Sequence, residues 1–395
     1  MLSPGSAYAA SDKSALDESV RYLEAPKDGE AFGLLQEKRF RCSFNAEERY
    51  DDNIYLTKDA TIDDFITTLS PSATFYYGNS DSLFYTSYNA DIFLYGKKNK
   101  ENRINQAVEA RMELARNGRI KFRFSDTFRP TSDPATSETN DFVKRIANGF
   151  DATMRWDASE KTSLELSYDQ VLQHYINESY RDYSYFEHRF SPILYWHNSP
   201  KLSFTGEYNL GIIDYYEGLN YSSIFQQARA GVQGKLTAKS TVYLKAGYQY
   251  RYYESTARKN TQGAVAEAVY DYLLSQKTTV QILASYDINE SVYEDVGYFK
   301  SANAYLSVNH DISNNLVARG SVFYVRSDYP QETVTSTGEI KKRTDNLLGF
   351  NVRATYDIKS WLAAYVEYQY KFKVSNFRDI EYGNSRVSGG AKLSF

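Results

Sequence analysis

Few residues in this chain are placed to do chemistry. The four histidines, His174, His188, His197 and His310, are scattered, and none stands at metal-ligand spacing from another. His197-Asn198-Ser199-Pro200 sets an imidazole beside a hydroxyl, the pairing a hydrolase uses, but Pro200 marks ordinary turn chemistry. Asp51, Asp52, Asp59, Asp63 and Asp64 gather carboxylates that could hold calcium. They lack the spacing of an EF-hand loop, so a solvated acidic loop is expected. One cysteine, Cys42, excludes an internal disulfide and a thiolate metal site. Its neighbours Arg39-Phe40-Arg41 are not the small apolar residues that precede a lipidated cysteine. No phosphate-cradling glycine loop and no nucleophile elbow occur. The expectation is a protein without cofactor and without catalysis.

What the chain has in abundance is alternation. Val108, Ala110, Met112 and Leu114 take turns with Glu109, Arg111 and Glu113. Ile120, Phe122 and Phe124 do so with Lys121 and Arg123, and Met154 and Trp156 with Arg155. Leu202, Phe204, Tyr208, Leu210 and Ile212 alternate with Ser203, Thr205, Glu207 and Asn209. Period two means strands with one apolar and one polar face. The polar face is too charged for the inside of a soluble sandwich, and nothing else in the chain can bury the apolar one. A closed cylinder in lipid satisfies both, with hydrocarbon outside and water inside. The expected fold is all-β: a transmembrane antiparallel up-and-down β-barrel of the bacterial outer membrane.

Composition agrees. The 395 residues include 37 Tyr and 22 Phe, and Tyr suits both strands and a surface where apolar meets wet. Mean hydropathy is −0.58, and no run approaches the roughly 18 to 20 apolar residues of a spanning helix. Barrel strands escape that test because only alternate residues face lipid. Formal net charge is −4 with no basic block, so nucleic acid is not an expected partner.

On this reading the polar parity lines a lumen. Its charged members are Glu109, Arg111, Glu113, Lys121, Arg123, Arg155, Glu165, Glu207, Arg229, Lys235, Lys245, Arg251, Arg319, Arg353, Glu367 and Lys371. Both signs mix, so the wall is hydrated without a field of one sign. That suits a polar, weakly charged solute such as a saccharide. About half of these charges are expected to pair across strands and stiffen the wall instead.

Connections alternate between two classes. Tight turns such as Gly78-Asn79-Ser80-Asp81 and Arg116-Asn117-Gly118-Arg119 are separated by longer polar stretches, the longest being 327–345. Short turns belong to the periplasmic side and long loops to the outer side. The count between them is about 18 strands over 37–395, with both ends periplasmic. Trp156 and Trp196, apolar in parity and just before short turns, are expected in a periplasmic aromatic girdle. Ala7-Tyr8-Ala9 reads as the end of a signal peptide (1–9). The charged segment 10–36, without alternation, reads as a periplasmic tail.

The last residues, Ser388-Gly389-Gly390-Ala391-Lys392-Leu393-Ser394-Phe395, alternate and stop on an aromatic. The order of Ser388, Gly390, Leu393 and Phe395 resembles the terminal signal that outer-membrane barrels present to the barrel-assembly machinery. Arg49-Tyr50-Asp51-Asp52-Asn53-Ile54-Tyr55-Leu56-Thr57 and Asp64-Phe65-Ile66-Thr67-Thr68-Leu69-Ser70-Pro71 resemble a family of outer-membrane β-barrel porins frequently associated with exopolysaccharide and capsule export. The resemblance covers some twenty-five residues and implies a lipid-embedded conduit for a secreted polysaccharide, with a periplasmic export partner. A general or sugar-uptake diffusion porin shares the architecture, and a plugged barrel whose loops bind a partner is the third reading.

Overall fold

The computed structural model describes residues 40–133, 142–217, 222–256, 258–291, 297–335 and 338–395. The expected signal remnant 1–9 and tail 10–36 lie outside the described residues. Each alternating segment is a strand. In chain order they are β1 (Phe40–Asp51), β2 (Asp64–Gly78), β3 (Leu83–Tyr95), β4 (Arg103–Leu114), β5 (Ile120–Thr131) and β6 (Arg145–Trp156). Next come β7 (Thr162–Tyr175), β8 (Tyr185–Ser199), β9 (Leu202–Tyr215), β10 (Ser223–Thr237), β11 (Ser240–Tyr253) and β12 (Thr261–Ser275). The last are β13 (Thr278–Glu290), β14 (Tyr298–Asp311), β15 (Leu316–Val334), β16 (Ile340–Lys359), β17 (Leu362–Ser375) and β18 (Tyr382–Ser394). All 18 join in one sheet, each paired with its sequence neighbours, and β1 also pairs with β18. The ring is closed and antiparallel throughout. No helix among the described residues is long and apolar enough to cross a membrane.

Closure runs to the final residue. Phe44 registers with Leu393 and Ala46 with Ala391. The Phe395 amide donates to Cys42 O (2.8 Å), and the Cys42 amide returns a bond to Phe395 O (3.2 Å). Gly390 is fixed by packing: a Cβ there would lie 2.5 Å from the Tyr365 ring. Leu393 and Phe395 take the outward parity, and Ser388 is buried on the inward one.

The outward face is apolar and exposed, as lipid demands. Trp156 (45 % exposed) and Trp196 (55 %) stand on it near the short-turn end. Near the middle of their strands, outward tyrosines bond sideways to the next strand. Tyr88 donates to Gln106 (2.9 Å), Tyr208 to Gln226 (3.0 Å) and Tyr324 to Asn346 (2.7 Å). In the same zone Asn148 donates to Asp126 (3.0 Å). Part of the tyrosine surplus thus serves as amphipathic outward side chains whose hydroxyls are satisfied by an amide on the next strand.

One connection departs from expectation. Most of 327–345 is not loop: β15 and β16 extend to 19 and 20 residues and leave only 335–339 to join them. Above the lipid the outward face of a strand meets water instead of hydrocarbon, so apolar alternation, the sequence mark of a strand, disappears there.

Candidate functional site

The inner wall is built from the polar parity, and its charges are spent largely on each other. Arg111 pairs with Glu113 (2.6 Å), and Arg116 from the adjoining turn reaches the same carboxylate (3.1 Å). Lys121 meets Asp157 (2.8 Å) and Arg123 meets Asp151 (3.4 Å). Arg155 lies between Asp157 (3.1 Å) and Glu165 (3.7 Å). Glu207 receives both Arg229 and Lys245, all three buried, while Arg229 also approaches Glu267 (3.7 Å). Arg251 pairs with Glu290, Arg353 with Glu367 (3.4 Å), and Arg319 donates to Asn309 (2.6 Å). Lys371 lies 6.0 Å from the Tyr382 ring centre, and Glu109 is half-buried on the inward parity. Lys235 is exposed at the end of β10 beside a turn, so it belongs to the rim and not to the mid-wall. The alternation did not reveal Asp151, Glu267 and Glu290 as the partners.

Inward tyrosines complete the wall. Arg155 stacks over Tyr195 (4.5 Å), Lys245 over Tyr243 (5.0 Å) and Arg353 over Tyr365 (3.8 Å). A cation on a ring face is held electrostatically as well as by its ion pair. These rings stand on the parity where sequence alone predicts polar residues.

At the loop end the barrel acquires something like a core. Among the described residues, five apolar clusters are found, and all lie there. They include Val143 with Tyr175, Ile213 with Tyr215 and Phe225, and Phe299 with Tyr329. The other two seat the first loop, 52–63. Ile54 packs with Ile66, Phe93 and Tyr95, whereas Leu56 packs with Val325, Leu347 and Tyr382 on the far side of the seam. The loop therefore lies in the mouth. Tyr55 donates to Glu101 (3.0 Å), and Lys58 pairs with Glu381 (2.5 Å). Lys97 pairs with Asp63 (2.6 Å), and that bond holds the Asp63 carboxyl below its usual range. Leu56 and Ala60 both have φ of 53°, a left-handed backbone uncommon for residues with a Cβ.

The acidic run thus divides by role. Asp51, 2 % exposed, accepts from the Asn53 amide (3.0 Å), Asn384 (2.7 Å) and Arg386 (2.8 Å). Asp52 accepts from the Ser385 amide (2.8 Å). Asn53 donates to Thr57 O (2.7 Å) and Gly383 O (2.9 Å), pinning the loop's first turn to β18. Asp64, fully buried, accepts from the amides of Phe65, Lys97 and Lys98, each at 2.8 Å. The expectation of a solvated acidic loop holds for Asp59 and Asp63 and fails for Asp51 and Asp64. Short carboxylate side chains at strand ends are well placed to take up backbone donors.

His197 belongs to β8 and not to the turn. It lies between Ser163 (2.8 Å) and Ser203 (2.7 Å). The nearby carboxylate, Asp157, accepts from Ser163 (2.8 Å) and not from the imidazole, so no carboxylate orients the ring as a triad requires. Partial burial favours the neutral form of Asp157, but bonds from Lys121, Ser163 and Arg155 outweigh it and hold the carboxyl at about 2. No group of three or more metal-ligating side chains occurs among the described residues.

With this geometry in view, residues 40–395 match the family described as "Putative beta-barrel porin 2". The chain belongs to that family. This porin is an integral β-barrel of the bacterial outer membrane and a channel-type protein. Among solved structures it resembles Pseudomonas aeruginosa OccK1 (OpdK) at 9 % identity and TM-score 0.48, over 91 % of this chain and 100 % of that one. P. aeruginosa OccK2 (OpdF) gives 9 % and 0.49 over 91 % and 99 %. Acinetobacter baumannii OccAB4 gives 11 % and 0.48 over 91 % and 99 %. No curated protein sequence matches the porin.

Proposed function

We propose that this porin lets small polar solutes, saccharides foremost, diffuse passively across the outer membrane. The observation that carries this reading is the self-neutralised wall. Arg123 with Asp151, Arg155 with Glu165, Glu207 with Arg229 and Lys245, and Arg353 with Glu367 pair off charges of opposite sign along the mid-wall, which weakens its preference for ions of either sign. Rings such as Tyr195, Tyr243 and Tyr365 sit among these pairs and give flat apolar faces beside hydrogen-bonding groups. Sites for polar solutes use that mixture. Polysaccharide export rested on the resemblance at 49–57 and 64–71. Those residues close the seam and seat the first loop, so they speak to architecture and not to cargo.

Planar bilayers and proteoliposome swelling test the proposal. The expected result is a stable conductance with weak ion selectivity, and swelling in isotonic sugars whose rate falls from mono- to trisaccharide. A folded barrel with neither conductance nor swelling would make it a plugged surface-interaction protein and end the diffusion reading.

A further inference from the structure

The short-turn mouth carries a recess of about 680 Å³ on the inward side, within the about 300–1,000 Å³ usual for small-molecule sites. Strand register builds it. Arg319 of β15 and Arg353 of β16 stand directly opposite each other, and both line the recess. Like charges so placed repel. Glu367 meets Arg353 (3.4 Å), and Arg319 donates to Asn309 (2.6 Å). Nearer the turns, Asp357, Ala363 and Lys392 lie side by side on β16, β17 and β18. Ala363, the short member of that row, leaves room between its charged neighbours.

Charge is not balanced there. Four bases, Arg319, Arg353, Lys359 and Lys392, line the recess against one carboxylate, Asp357. Counting Glu367 beside Arg353 leaves four bases against two carboxylates, a charge of +2. Lys359 and Lys392 are exposed and form no ion pair among the described residues. The neutral lining is of two kinds. Asn315, Thr355 and Ser394 bring amide and hydroxyl groups, and Trp361, 47 % exposed, offers a flat apolar ring. The backbone of that tryptophan is fixed, the Ser394 amide donating to Trp361 O (2.9 Å).

We propose that this recess binds the phosphate monoester of a small sugar. Such a group carries about −1.5 to −2 at pH 7 and three acceptor oxygens, which matches the excess charge. The two guanidinium groups present planar forks of donors to those oxygens, and an anion between Arg319 and Arg353 offsets their repulsion. Lys359 and Lys392 add attraction from exposed positions. Trp361 gives the sugar ring an apolar face, while the amide and hydroxyl groups meet its hydroxyls. A neutral sugar lacks the charge to stay. That the bound solute lies on a conduction path rests on the channel reading above; the binding itself does not.

Calorimetric titration of the folded full chain in detergent tests this, with glucose 6-phosphate, inorganic phosphate and glucose as probes. Glucose 6-phosphate should bind saturably, inorganic phosphate more weakly, and glucose not at all. Lys359→Gln/Lys392→Gln should weaken glucose 6-phosphate about tenfold, the loss of two exposed charge contacts. Binding should also fade at about 1 M salt, where the screening length shrinks to about 3 Å. Trp361→Ala should bring glucose 6-phosphate down to the level of inorganic phosphate and leave phosphate itself unchanged. All three substituted residues are exposed, so heat-modifiable migration on gels should be kept. The proposal is overturned by no saturable binding of glucose 6-phosphate, or by binding no tighter than that of inorganic phosphate or of glucose. A double variant as tight as the parent overturns it too. Binding in a barrel that never conducts would uphold the site and remove the channel reading, and conduction without binding would do the reverse.

Discussion

At the loop end, Ile54 and Leu56 bury their side chains in clusters that lock the first loop into the mouth, and Tyr215, Phe225 and Tyr329 pack strand to strand in further clusters. At the opposite end, strands meet through tight turns, outward Trp156 and Trp196 face lipid, and inward groups are Asp157, Lys121, Lys359 and Lys392. The backbone ring is the same at both ends. What differs is whether a connection must be held in place. A tight turn positions itself by its own geometry, whereas a twelve-residue excursion such as 52–63 needs a packed seat to offset the entropy of ordering it. Apolar packing around Ile54 and Leu56 therefore seats the first loop, while along the mid-wall charge pairing lines surface that only has to stay wet.

That contrast can be attacked at several points. The largest effect is expected at the seam. Asp51→Ala strips the carboxylate from Arg386 and Asn384, and breaking a buried charge network costs about 3–5 kcal/mol. Urea unfolding followed by heat-modifiable migration on gels should register that loss. A variant as stable as the parent would show that Asp51 does not close the ring.

Leu56→Ala should come next. Emptying a buried leucine site costs about 2–5 kcal/mol, here spent on releasing the loop and not on opening the barrel, so single-channel conductance should rise while the strands stay folded. Equal conductance would mean that the loop does not narrow the path.

Glu207→Gln leaves Arg229 and Lys245 without their shared carboxylate. Reversal potentials across a salt gradient should shift towards anion preference, with little change in conductance. No shift would locate the narrowest part of the path elsewhere.

Acid probes the short-turn rim. The Asp157 carboxyl, at about 2 when folded against about 3.9 unfolded, contributes stability that is complete above the unfolded value. That contribution is lost as pH falls through about 2. Thermal midpoints measured from pH 5 down to 2 should fall less steeply in Asp157→Asn, which has nothing to protonate. Parallel curves would assign the acid sensitivity to other carboxylates.

The smallest effect belongs to Ala60, whose φ of 53° is left-handed. Ala60→Gly should relieve about 1 kcal/mol of strain, seen as slower hydrogen exchange across 52–63. Faster exchange would mean that the added freedom of the unfolded loop outweighs the relief.

The outside of this molecule was far more legible in its sequence than the inside. Hydrocarbon imposes one rule on every strand, so Phe204, Tyr208 and Ile212 announce β9, and the same periodicity yields all 18 strands. Inside, each position answers to a different neighbour. Phe93 and Tyr95 are apolar on the inward parity because Ile54 rests on them, and that blurs the alternation with Leu94. Asn53 and Gly383 touch across the seam from opposite ends of the chain, a contact no local pattern can signal. The inward charges were readable as charges, but their partners depend on strand order and register. The one available clue was the density of Asp and Asn just past the end of β1, more than a solvated loop needs. Its donors lie in β18 and after β3.

The hairpin of β15 and β16 overtops its neighbours, and its tip carries Val334 and Ile340, 65 % and 66 % exposed. With long loops facing outward, as in barrels of this class, this hairpin would be presented on the outer side of the cell. A short peptide tag spliced between residues 335 and 339 should accordingly be stained on intact bacteria, giving a topological landmark from which every other turn of the chain can be assigned a side.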